Sequence, residues 1–174
     1  MKISIDILKD LREQSGAGIM ACRNALAHTE GDLERAMQLL KEQSILRVEE
    51  KAERTASEGL IEAYIHTGGR IGAMVEINCE TDFVARTEAF KELAHNLAMQ
   101  VAATDPKFIA EENVAAGTEV EPQLACLLCQ PYIRDPGLTI RDIINEIIAK
   151  VGENIKVARF ARFELGEISG DEAA

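Results

Sequence analysis

Between Ile71 and Val101 the spacing of apolar residues changes from two to three and four, so a strand must hand over to a helix within a few residues. Ile71, Ala73, Val75 and Ile77 share one face of an extended segment while Met74, Glu76 and Asn78 share the other, the pattern of a strand buried on one side. From Phe90 onward, Phe90, Leu93, Ala94, Leu97, Ala98 and Val101 form the stripe of an amphipathic helix that ends near Thr104 and Pro106. The junction, Thr81 to Arg86, sets an acid, Asp82, beside a large aromatic, Phe83. Two readings of that pair follow. Asp82 caps or charge-matches the helix start while Phe83 plugs the core, or the two project as a probe toward a partner. Composition alone favours the first, because Phe is usually buried.

Other segments fit the same style of fold. Gly59 to His66 reads as a strand, Gly68-Gly69 as a hairpin turn and Ile71 to Asn78 as the returning strand. Ile140, Ile143, Ile144, Ile147, Ile148 and Val151 define a helix over Thr139 to Val151, followed by a third strand over Ile155 to Leu165. Leu127, Pro131, Tyr132 and Ile133 are read as the connection across this unit. The expected class is α+β, a small antiparallel sheet with helices on one face and one open edge that gives a reason to pair with a second copy.

The first forty-odd residues predict a separate three-helix bundle. Ile5, Ile7, Leu8 and Leu11 make the first helix, capped by Ser4 or Asp6 and ended by Gly16-Ala17-Gly18. Ile19 to His28 makes the second, and Leu33, Ala36, Met37, Leu39 and Leu40 the third. The pattern is similar to ubiquitin-associated domains. The expected organisation is a bundle over 1–43, a solvated linker helix over 44–57, an α+β core over 58–166 and a disordered tail over 167–174.

Charge and cysteine content narrow the chemistry. A formal net charge of −11 argues against binding nucleic acid through its phosphates and in favour of a protein partner. No stretch approaches the about 18 consecutive apolar residues of a membrane span, and Met1 to Asp6 carries no long apolar run, so a cytoplasmic protein is expected. Cys126 and Cys129 form one C-x-x-C, a pattern open to redox chemistry or to half of a zinc site; a structural zinc needs a second ligand pair, His28, His66 and His95 stand far apart, and the favoured, bland reading is two small apolar residues. Cys22 and Cys79 read as buried free thiols. Gly16-Ala17-Gly18-Ile19-Met20-Ala21 matches a dinucleotide fingerprint on paper, but a helix precedes it where that motif needs a strand. There is no G-x-x-x-x-G-K loop, no recognisable nucleophile constellation and no tryptophan, so neither an enzyme nor a cofactor is expected.

Glu76 to Arg86 resembles a signature of bacterial elongation factor Ts, and Leu11 to Met20 with Cys22, Ala25 and Leu26 resembles that family's N-terminal signature. The resemblance continues through His66 to Gly72, the helix to Ala103, and Ala149 to Ile155 into Phe163 to Gly166, which is nearly the whole chain. Three departures stand out: Ser15 where Thr is usual, Arg23-Asn24 in place of a Lys-rich pair, and a stretch from Ala115 to Gln130 shorter than the helical insertion common there. The resemblance implies a guanine-nucleotide exchange factor acting on elongation factor Tu in its GDP-bound and nucleotide-free states. It also implies that Thr81, Asp82, Phe83 and Val84 disturb the partner's magnesium and phosphate site, while Arg12, Gly18, Ile19 and Met20 dock on its nucleotide domain. The alternative is a non-catalytic ubiquitin-associated-like interaction module. Core packing remains the competing reading for Met20. Glu153 and Asn154 match a further family motif but are explained equally well by a turn and receive no role; Arg70 and His66 read as solvated loop residues.

Overall fold

In a computed structural model, which describes residues 4–115 and 117–167, the chain forms a helical bundle joined to an α+β core. Residues 1–3 and most of the segment expected to be a disordered tail lie outside the described residues.

Helix α1 (Ile5–Ser15) starts where the Ser4 hydroxyl accepts from the Asp6 N–H and ends at Gly16, whose N–H donates to the Arg12 carbonyl. Helix α2 (Ile19–His28) turns Cys22, Ala25 and Leu26 inward at the spacing the sequence predicts. Helix α3 (Leu33–Ala52) is capped by Asp32, whose carboxylate accepts from the Arg35 N–H. Leu11, Cys22, Ala25, Leu26, Ala36 and Leu40 close the bundle's own core.

The boundary expected at residue 43 falls inside α3. No Gly or Pro interrupts Leu33 to Ala52, so nothing stops the helix where the bundle ends. The helix reaches on to place Val48 against the second core and stops at Ala52, short of the expected Ser57. One rod of about 30 Å thus serves both units.

Strands β1 (Glu58–Ile65) and β2 (Ile71–Cys79) form the expected antiparallel hairpin around Gly68 and Gly69, both at positive φ. A one-turn helix, α4 (Asp82–Ala85), follows β2, and α5 (Glu88–Thr104) follows it directly from a Thr87 cap. Helix α6 (Pro122–Ala125) leads to a small two-stranded ladder, β3 (Pro131–Tyr132) with β4 (Asp135–Thr139). Sequence reads Leu127, Pro131, Tyr132 and Ile133 only as a connection; Pro131, Pro136 and Gly137 are residue types that seldom mark a strand. Helix α7 (Ile140–Val151) opens on a capping box between Thr139 and Asp142, and β5 (Lys156–Glu164) closes the chain's main sheet.

That sheet is antiparallel in the order β1-β2-β5, so it has two open edges rather than the single one expected. Helix α5 lies on its inner face and α7 packs against α5, burying Val75, Ile77, Phe90, Leu97, Val101 and Ile140 completely. The buried Gln100 is satisfied by Gln130, the Pro131 carbonyl and the Ile133 N–H, which fastens the small ladder to α5. Arg162, pointing inward from β5, donates to the Ala102 carbonyl near the C-terminus of α5 and pairs with Glu164 at 2.7 Å, and that hydrogen bond foremost raises its pKa further. No helix among the described residues is long and apolar enough to cross a membrane.

Candidate functional site

Strand β2 ends on the buried Cys79, and within three residues the chain must turn to start a helix. Thr81 makes the turn. Its backbone is extended, and its hydroxyl accepts from the Val84 N–H at 3.5 Å, which caps α4. Successive residues on a helix point about 100° apart, so one turn can turn only two of them fully into the core. Val84 and Ala85 take those positions, each 8% exposed. Phe83 is consequently left 78% exposed, with Asp82 and Arg86 beside it. The Asp82 carboxylate meets the Arg86 guanidinium at 2.7 Å. The expectation from composition, a buried Phe83, is therefore overturned.

The four residues assigned to this site divide into two pairs. Asp82 and Phe83 project. Thr81 and Val84 are held inward: the Thr81 hydroxyl is committed to the turn, and Val84 is packed into the core.

Glu153 and Asn154 were given no role by sequence, yet they hold this turn. One Glu153 oxygen accepts from the Glu80 N–H at 3.1 Å and the Thr81 N–H at 3.0 Å, and the other from the Thr81 hydroxyl at 2.6 Å. The Asn154 N–H donates to the Glu80 carboxylate at 2.7 Å. These contacts join positions more than seventy residues apart, so no local pattern reports them. Cys79 lies below the turn with its thiol directed at the Thr81 carbonyl at 3.1 Å; burial foremost, and then the Glu153 charge, push its pKa up.

The second predicted cluster lies where α1 passes to α2. Arg12 and Gly18 are exposed, Ile19 is 54% exposed and Met20 59%, so core packing is not the explanation for Met20. Arg70 and His66 are exposed in the hairpin loop, where His66 Nδ1 lies 3.1 Å from the Tyr64 hydroxyl.

The glycines at 16 and 18 follow a helix, as the sequence indicated, and among the described residues no group of three or more His, Cys, Asp or Glu side chains is arranged to hold a metal. Cys126 is buried, Cys129 donates to Glu111 at 3.3 Å, and burial foremost raises both thiols, which disfavours the thiolate that redox chemistry needs. What the arrangement offers is an exposed aromatic ring beside a carboxylate, on a turn held to the core by Val84 and by Glu153.

The protein-family profile described as Elongation factor TS matches residues 12–124, which spans both clusters. The chain is similar to Elongation factor Ts of Caldanaerobacter subterraneus subsp. tengcongensis, 46% identical over 95% of this chain and 98% of the relative. It is also similar to Elongation factor Ts of Thermotoga maritima, 46% identical over 96% of this chain and 98% of the relative, and to that of Heliobacterium modesticaldum, 44% identical over 95% and 91%. The first alignment runs over 195 positions against a 174-residue chain, so parts of the relative have no counterpart here. A match over more than half the chain to the profile, and over nearly all of it to these relatives, places the chain in the elongation factor Ts family of translation elongation factors.

Proposed function

We propose that this chain is a guanine-nucleotide exchange factor for elongation factor Tu, binding it with GDP, releasing the GDP and leaving it open to GTP. The observation that carries the reading is the projection of Phe83 and Asp82 from a turn whose Val84 and Ala85 are buried in the core and whose Thr81 is bound by Glu153. Exchange is a coupling free energy: a factor that prefers the nucleotide-free partner weakens the partner's GDP affinity by the same ratio. A thousandfold weakening corresponds to about 4 kcal/mol. Burying one Phe ring contributes about 1.5–3 kcal/mol, so Phe83, wedged between the partner's helices, supplies much of it. Asp82 brings a negative charge to a pocket that already holds a polyanion and its Mg²⁺, repelling the first and competing for the second. Arg12, Gly18, Ile19 and Met20 dock the bundle on the nucleotide domain. The chain itself makes and breaks no bond, holds no cofactor, contacts no nucleic acid and works in the cytoplasm.

A second copy of the chain is the other partner. The outer face of the sheet carries Ile61 and Ile65 on β1, Met74 on β2 and Phe163 on β5, exposed by 58%, 66%, 47% and 67%. The cross-strand register brings Ile65, Gly72 and Phe163 onto one rung, and Ala63, Met74 and Ala161 onto the next. Such a continuous apolar face between two open edges is covered by the same face of a second protomer.

Mixing the chain with elongation factor Tu loaded with GDP and separating the products by size tests the exchange reading. The expected result is a nucleotide-free complex with GDP in the small-molecule fraction. Co-elution through residues of the bundle alone, with GDP retained, would favour the interaction-module reading.

A further inference from the structure

The contacts made by Glu153 and Asn154 go beyond holding a turn. Asn154 is 3% exposed, and its side-chain amide donates to the carbonyls of Ala52, at 3.3 Å, and Arg54, at 2.8 Å. Those carbonyls belong to the last residue of α3 and to the chain two residues beyond it, and α3 is the helix that joins the bundle, with its Arg12 to Met20 surface, to the core. The Asn154 N–H meanwhile binds the Glu80 carboxylate, whose other oxygen stands 3.6 Å from the Arg54 guanidinium. Glu153 next to it gathers the N–H groups of Glu80 and Thr81 and the Thr81 hydroxyl. One dipeptide therefore grips both the end of the bundle's helix and the start of the probe's helix.

A four-residue helix has too few internal hydrogen bonds to fix its own direction. The direction of α4, and with it that of Phe83 and Asp82, is set by the groups that bind its entrance. A carboxylate accepting three hydrogen bonds is the strongest of these, because charge-assisted bonds are roughly twice as strong as neutral ones. Resting on the exchange reading above, we propose that Glu153 and Asn154 are positioning residues for exchange: Glu153 aims the Phe83–Asp82 probe, and Asn154 registers that probe against α3, so that bundle and probe meet the partner at a fixed spacing.

The division of labour gives distinct signatures. Glu153→Gln keeps the volume but removes the charge and one of the two acceptor oxygens. Release of a fluorescent GDP analogue from elongation factor Tu is expected to slow by about tenfold at saturation, with the half-saturating concentration within about twofold of wild type. The Thr81 amide, bound at best to a neutral amide oxygen in place of a carboxylate, exchanges its hydrogen faster in the free protein. In a Phe83→Ala background the same change adds nothing, because the group it aims is gone. Asn154→Ala keeps the backbone bond to Glu80 but releases α3, so the half-saturating concentration rises while the saturated rate holds.

An equal slowing by Glu153→Gln in both backgrounds would reduce its role to general folding and overturn the proposal, as would release at the wild-type rate. If Glu153→Gln fails to fold, Glu80→Gln carries the same cycle, since it weakens the bond to Asn154 while leaving both backbone donors in place. If wild type itself releases no GDP, the exchange reading has failed, and unchanged exchange of the Thr81 amide in Glu153→Gln would separately refute the positioning role.

Discussion

A phenyl ring left in water forgoes the stabilisation of burial, and Phe83 is kept outside by its neighbours: Val84 and Ala85 occupy the only inward positions of a one-turn helix. The two adjacent residues should accordingly respond in opposite ways. Phe83→Ala is expected to change stability by no more than about 0.5 kcal/mol, as exposed sites do, while Val84→Ala, which opens a void in the core, costs about 2 kcal/mol. Thermal or urea melts of the two variants check this, and an equal loss from both would contradict the packing described. At Gly59, φ is +150°, and a Cβ would stand 2.1 Å from the Ile77 carbonyl oxygen. Gly59→Ala is expected to destabilise by about 1–3 kcal/mol, with the cost falling on the β1-β2 pairing. The alternation through Ile71 to Ile77 was legible from sequence because burial on one side leaves a local period. Phe83's exposure was not, because it follows from the length of α4, which periodicity over four residues cannot report.

Among the elements, α3 matters most for the architecture, since its first half closes the bundle and its second half reaches the core through Val48. Sequence suggested two helices there because the apolar stripe fades after Leu40, yet a fading stripe marks a change of surroundings and only a breaker ends a helix. The helix α7 was legible from its isoleucine stripe, and the structure adds a capping box between Thr139 and Asp142 at its start. Thr139→Ala should therefore cost about 1 kcal/mol, measurable as a lower urea midpoint at unchanged slope. The Glu153 and Asn154 contacts, by contrast, join elements that only the folded topology brings together, and no local pattern encodes them. Proline and glycine likewise hid the β3-β4 ladder by looking like loop.

For the molecule as a whole, three thiols make a pH prediction. Cys79, Cys126 and Cys129 are all held above the ordinary value of 9.0, foremost by burial. Each binds its proton more tightly folded than unfolded, so its contribution is complete below the unfolded pKa and is lost as pH rises through that value toward the folded one. Melting temperatures should hold from neutral pH to about 9 and fall above it, and Cys79→Ala should flatten the decline. The apolar outer face of the sheet makes another: Phe163→Asp, at a site 67% exposed, should turn a dimer into a monomer by sedimentation equilibrium without altering the far-ultraviolet circular dichroism. A wild-type monomer at micromolar concentration would contradict that pairing. The bundle and the α+β core were both legible in the sequence, because each buries a periodic stripe; their sharing of one helix was not.

The central claim is that Phe83 and Asp82 drive nucleotide from the partner, and stopped-flow release of a fluorescent GDP analogue from elongation factor Tu tests it most directly. Wild type should accelerate release, with Phe83→Ala lowering that acceleration by about tenfold to a hundredfold, the equivalent of one buried ring, and Asp82→Ala lowering it too. Acceleration that survives both substitutions undiminished would contradict the account of the site, and no acceleration by wild type would contradict the function.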